Sequence, residues 1–204
     1  MTSSALRMTR TILWALVAVA ALGAGWIYYT QTQAPQPRAT ASGAPYGAGE
    51  YTLVDHTGQP FTREDMMGRP AMVFFGFTHC PDVCPTTLAD MAGWYERLGA
   101  DAEAVDAYFV TVDPERDTPE VIANYISWND RVTGLTGTPE EVAKVVEAWG
   151  ILAQRVELEG GGYNVDHTAS VLLIGPDGDF FGTIAYLESA DTAVGKLQRL
   201  IAEG

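Results

Sequence analysis

Two cysteines, Cys80 and Cys84, stand between an unbroken apolar run and a helical stripe, and this junction constrains the fold more than any other feature of the 204 residues. Residues 71–77 (AMVFFGF) contain no polar position. Such a run suits a central strand buried on both faces. From residue 85 to 98 the apolar side chains Leu88, Met91, Trp94, Tyr95 and Leu98 recur at steps of three and four, drawing one face of a helix. A strand that hands over to a helix puts the cysteines at the carboxyl end of the strand, where open α/β sheets form their sites.

The flanking segments extend the pattern. Tyr51 to Val54, a turn through Gly58, and Phe61-Thr62 predict a hairpin. Residues 107–112 (AYFVTV) predict a second strand. Asp117-Thr118-Pro119-Glu120 and Thr138-Pro139-Glu140-Glu141 each set a capping residue before a proline and place acids in the first turn, so each opens a helix. Residues 171–174, the turn Pro176-Asp177-Gly178 and residues 180–185 predict another hairpin, followed by a closing helix over 191–202. Strand, helix, strand, helix, antiparallel hairpin and helix together make an α/β sandwich on a mixed sheet, the thioredoxin-like arrangement.

Charge divides the chain. All 26 acidic residues lie from Glu50 onward, whereas the first 49 positions carry Arg7, Arg10 and Arg38 and no acid. The head is therefore +3 and the remainder, with 9 basic residues against 26 acidic, is −17. A body that acidic repels phosphate backbones, which excludes nucleic acid as a partner. Residues 11–29 are uncharged, and at about 1.5 Å per residue they match a bilayer core of about 30 Å. Arg7 and Arg10 precede this run and nothing basic follows before Arg38, so residues 1–10 are expected in the cytoplasm and the body outside it. The expected organisation is a cytoplasmic tail (1–10), a single transmembrane helix (11–29), a Pro, Ala and Gly tether (30–49) and one globular domain (50–204). A cleaved signal peptide is the alternative, since Ala20, Gly23, Ala24 and Gly25 offer small residues to a peptidase. Either route delivers the domain to an oxidising compartment such as the periplasm.

A static disulfide between Cys80 and Cys84 closes so small a loop that it contributes only about 2 kcal/mol. Redox chemistry, metal binding, or both remain. A helix N-terminus lowers a thiol pKa, and Asp82 opposes that effect. Metal binding needs a third ligand, and there are three histidines. His167 lies just before the apolar residues 171–174; if the loop leading into that strand faces the helix N-terminus, as in thioredoxin-like folds, His167 meets the cysteines from across the site. His79 is expected as a neighbour of the site or a surface residue, and His56 belongs to the first hairpin. Two thiolates and an imidazole form a soft set suited to Cu(I) and, with an added ligand, to Cu(II). Zinc is the rival, although a structural zinc site wants four protein ligands. Asp166 is a candidate to orient the imidazole. A peroxidase is disfavoured, because no Pro-x-x-x-Thr-x-x-Cys setting precedes Cys80.

The stretch Val73-Phe74-Phe75-Gly76-Phe77-Thr78-His79-Cys80-Pro81-Asp82-Val83-Cys84-Pro85, the stretch Val110-Thr111-Val112-Asp113-Pro114-Glu115-Arg116-Asp117-Thr118-Pro119 and Val165-Asp166-His167 resemble the Sco/SenC family of cytochrome c oxidase assembly proteins. The resemblance implies a membrane-anchored thioredoxin-like domain in the periplasm that binds one copper, Cu(I) or Cu(II), through Cys80, Cys84 and His167. Its implied partners are subunit II of cytochrome c oxidase, whose binuclear copper site the family helps to assemble, and other periplasmic copper chaperones. An alternative activity is that of a thiol–disulfide oxidoreductase, with Cys80 attacking and Cys84 resolving a disulfide of the same partner.

Overall fold

The computed structural model describes residues 45–203 together with Arg10, Ile12, Leu13, Trp14, Leu16, Val17, Val19, Gly23 and Trp26. Those isolated positions are helical; most of the expected anchor and tether, residues 11–29 and 30–49, lies outside the described residues. Among the described residues no helix is long and apolar enough to cross a membrane.

The globular unit is built from strands β1 (Leu53–Asp55), β2 (Pro60–Phe61), β3 (Ala71–Gly76), β4 (Asp106–Thr111), β5 (Val132–Thr136), β6 (Ala153–Glu157), β7 (Tyr163–His167), β8 (Val171–Ile174) and β9 (Phe180–Ile184). Its α-helices are α1 (Val83–Leu98), α2 (Pro119–Ile126), α3 (Pro139–Ala148) and α4 (Ala190–Glu203). Seven strands form one mixed sheet in the order β2-β1-β5-β4-β3-β8-β9, with β3, β4 and β5 parallel and the remaining pairs antiparallel. β6 and β7 form a separate two-stranded sheet.

Alternation of side chains along the strands divides the core. Met72, Phe74, Ala107, Phe109, Val171 and Leu173 join Leu88, Met91 and Trp94 of α1, Ile122 and Ile126 of α2, and Leu197 and Leu200 of α4. Val73, Phe75, Tyr108, Val110, Leu172 and Ile174 join Val142 and Val145 of α3, with Trp149. The expected α/β sandwich on a mixed sheet is therefore the fold.

The predicted caps are in place: the Thr118 and Thr138 hydroxyls accept the N–H groups of Val121 and Glu141, each ahead of a proline in the first turn. Two features depart from the sequence pattern. β5 sits between α2 and α3, where no strand was expected. It is short and carries Gly134, at which a Cβ would lie 2.1 Å from Ile122 Cγ2, so glycine there allows α2 to lie against the sheet. The β6–β7 hairpin was also unforeseen, because β6 is largely exposed and has no apolar face to mark it. The folded unit begins before Glu50: Tyr46 stacks on Phe180 at 4.6 Å, and Gly47, at φ +70°, lies so close to Trp149 that a Cβ would come within 2.6 Å of its ring.

Candidate metal centre

β3 ends at Gly76, and a turn closed by the Cys80 N–H bonding to the Phe77 carbonyl (3.2 Å) carries the chain to Cys80. α1 then begins at Val83, two residues earlier than the apolar stripe suggests. Pro85 falls within the first turn, where its missing N–H costs nothing. Cys84 is thus a first-turn residue whose backbone N–H donates to Cys80 Sγ at 3.3 Å. Cys80 is half-buried and Cys84 is buried; no disulfide joins them. Gly76 makes room for this arrangement, since a Cβ there would lie 2.9 Å from Cys84 Sγ and 2.7 Å from the Phe109 ring.

His167 comes from the opposite side. It is the last residue of β7, paired with Ala153, rather than part of a loop leading into β8. Its ring meets Phe77 edge-on (centroids 5.7 Å apart, planes at 88°) and Phe74 at 6.3 Å. Nδ1 lies 2.9 Å from the Thr168 carbonyl, an acceptor only, so Nδ1 carries the proton and Nε2 presents a bare lone pair. Nε2 lies 3.5 Å from Cys84 Sγ, and the ligand atoms of Cys80, Cys84 and His167 all lie within 4.8 Å of one another.

These three residues fit a metal ion by the chemistry of their donors. Two sulfurs and an imidazole already in its ligating tautomer form a soft set that suits copper. Burial pushes the Cys84 thiol well above its ordinary value, against the lowering expected of a helix N-terminus, with a backbone hydrogen bond at Phe77 opposing and the neighbouring Cys80 adding to the rise. Burial lowers the His167 pKa, with the Thr168 carbonyl and then Asp166 opposing, and the ring is neutral at pH 7.

The other sequence candidates are placed elsewhere. Asp166 is exposed and pairs in register with Gln154; the Thr168 carbonyl, rather than Asp166, orients the imidazole. His79 is exposed, with Nδ1 3.1 Å from the Thr78 hydroxyl. His56 accepts the Gly134 N–H at 3.2 Å and ties the first hairpin to β5. Sequence reasoning missed Tyr125, whose hydroxyl is buried without a hydrogen-bond partner and whose pKa is pushed up by burial and then by the Cys84 and Cys80 sulfurs. It also made residues 113–117 no more than the start of a helix. In the structure Asp117 is fully buried and accepts the Thr78 N–H (3.1 Å) and hydroxyl (2.6 Å) and the Thr111 hydroxyl (2.6 Å).

Comparison with known proteins places the chain. The family model described as SCO1/SenC matches residues 39–202. The chain belongs to the SCO1/SenC family. Among curated SCO1/SenC relatives, the human mitochondrial SCO1 homolog is 42% identical over 142 residues, which is 68% of this chain and 47% of that protein. The chain thus spans about half the length of the human relative. Among solved structures, Bradyrhizobium japonicum ScoI with copper bound superposes with a TM-score of 0.70 at 39% identity, covering 76% of this chain and 99% of that one. BsSco, a member of the Sco family of cytochrome c oxidase assembly proteins in which a disulfide switch was identified, shares the fold at 23% identity and a TM-score of 0.62, covering 78% of this chain and 95% of that one.

Proposed function

We propose that this protein is a membrane-anchored copper metallochaperone that holds one copper ion through Cys80, Cys84 and His167 and assists assembly of the binuclear copper site in subunit II of cytochrome c oxidase. The observation that carries the reading is the convergence of two sulfurs and a bare imidazole Nε2 within 4.8 Å, from segments 83 residues apart. Three protein ligands with the half-buried Cys80 at the edge suit a cargo ion, because an incoming thiol can replace one ligand at a time. Copper bound in the related ScoI supports the choice of metal.

The uncharged run of residues 11–29 behind Arg7 and Arg10 supports a single-pass anchor in the inner membrane, with the domain in the periplasm. The helical positions described there expose large apolar side chains, among them Ile12, Leu13, Trp14, Leu16, Val17 and Val19, as a lipid-facing helix would. The −17 charge of residues 50–204 supports attraction to basic surfaces on subunit II and on copper chaperones that load the site.

A second reading, thiol–disulfide reduction of the cysteines in the partner's copper site, is favoured by the pairing of the Cys84 N–H with Cys80 Sγ at the start of α1. Cys80 is the more accessible sulfur and would attack, and Cys84 would resolve. Anaerobic copper titration of the full chain, reduced and oxidised, separates the two. Stoichiometric binding in the reduced state alone supports the chaperone; no binding in either state leaves the reductase.

A further inference from the structure

One short loop touches both halves of the metal centre. Asp117 grips the cysteine side: its carboxylate accepts the backbone N–H and hydroxyl of Thr78, two residues before Cys80, and its position is fixed in turn by the Thr111 hydroxyl and by the Thr136 hydroxyl bonding to its carbonyl. Four residues earlier, Asp113 grips the histidine side. Its carboxylate accepts the Tyr163 hydroxyl at 2.8 Å and pairs with Arg116. Arg116 donates to the Tyr163 carbonyl at 3.2 Å and lies 3.8 Å over the Tyr163 ring, whose other face is covered by Arg155 at 3.6 Å. Tyr163 opens β7, the strand that ends in His167. Arg116 also lies 5.7 Å over the Phe77 ring, against which the His167 imidazole packs edge-on. The two grips are joined by the Asp117 N–H bonding to the Asp113 carbonyl at 3.0 Å.

The β6–β7 hairpin needs such a hold. It belongs to neither edge of the main sheet, and β6 is largely exposed, so ladder hydrogen bonds to the core do not fix His167. Arg116 is committed to this hold: its Nε pairs with Asp113 and its Nη1 donates to the Tyr163 carbonyl, while Nη2 is buried without a hydrogen-bond partner.

We propose that residues 113–117 set the spacing between the sulfurs and the imidazole, with Asp117 positioning the cysteine loop and Asp113, Arg116 and Tyr163 positioning His167. This inference rests on the copper reading above for its consequence, and on the hydrogen bonds alone for its geometry. Partners that orient metal ligands typically cost about 10- to 100-fold in metal affinity when removed.

The test uses the full chain in detergent and two variants, Tyr163→Phe, which keeps the ring stack and removes the bond to Asp113, and Arg116→Gln. In metal-free protein, nitrogen NMR of the His167 ring in the wild type should show a single tautomer protonated at Nδ1, and both variants should show exchange between tautomers. With Cu(II) as the probe, both should lose about 10- to 100-fold in affinity and weaken the imidazole nitrogen signature in pulsed EPR, while thiolate-to-copper absorption persists. Urea midpoints verify folding, and Arg116→Lys, which keeps the charge beside Asp113, should recover part of the affinity. Folded variants with wild-type NMR and EPR signatures would overturn the proposal. A wild type that takes up no copper, with tautomer exchange still appearing in Tyr163→Phe, would remove the copper reading and leave the positioning role standing.

Discussion

Cys84 Sγ and His167 Nε2 lie 3.5 Å apart although 83 positions separate them in sequence. The contact closes the site. Cys84 is held by the first turn of α1, His167 by the end of β7, and the Thr168 carbonyl keeps the imidazole proton on Nδ1.

Removing the imidazole should separate the two proposed activities. His167→Ala is expected to weaken copper binding by at least about 100-fold, the upper end of what loss of an outer partner costs. Thiol–disulfide exchange at Cys80 and Cys84 does not require the ring and should persist. Competition titration against a copper chelator and a thiol-exchange assay on the same preparation measure both. Unchanged copper affinity would take His167 out of the ligand set.

Gly76→Ala should damage the site from beneath. The added methyl would stand 2.9 Å from Cys84 Sγ and 2.7 Å from the Phe109 ring, neither of which has room to retreat in a buried core. Overpacking of this kind costs about 1–3 kcal/mol. Urea denaturation of metal-free protein is expected to show a loss in that range, together with weaker copper binding. A wild-type midpoint would mean that the first turn of α1 yields.

Stability of the metal-free protein should fall on both sides of neutrality. The folded-state pKa of His167 lies below its ordinary 6.5, so the unfolded chain binds the extra proton, and stability is lost as pH drops through 6.5. For Cys84 the folded value lies above the ordinary 9.0; the unfolded chain then releases the proton first, and stability is lost as pH rises past 9.0. Unfolding free energies measured from pH 5 to 10 for wild type, His167→Gln and Cys84→Ser should show each limb flatten in the matching variant. Copper affinity should rise with pH over the same range, because the metal must displace the Cys84 proton.

Asp117→Asn tests the buried carboxylate. The amide keeps one acceptor oxygen, so the buried site loses its charge-assisted bonds, and whichever Thr group faces the new NH2 must turn from donor to acceptor or lose its partner. A loss of about 1–3 kcal/mol is expected in chemical denaturation. A shift below a few tenths would show that the Thr78 turn is held by other means.

Short-range rules made much of this protein legible in its sequence. A short uninterrupted apolar run suits a strand covered on both faces, a three-and-four stripe suits a helix buried on one face, and Thr-Pro-Glu favours a helix start. Those patterns give β3, α1, α2, α3 and the junction that holds Cys80 and Cys84, and they make His167 a third-ligand candidate. Other features had no local signature. β5 is interrupted by a glycine whose purpose, room for Ile122, lies on another element. The hairpin bearing His167 has an exposed strand and therefore no periodicity. The partner of the imidazole is a backbone carbonyl, which every residue possesses, so the neighbouring acid Asp166 was the more conspicuous candidate. Desolvation of Cys84, which raises its pKa, depends on what the fold packs around it and cannot be read from its position at the start of a helix. Sequence by itself determined most of the helices and strands, with β5 and the β6–β7 hairpin excepted, and which donors are available. Only the tertiary structure decided the spacing, tautomer and burial of those donors, because these depend on contacts between segments tens of residues apart.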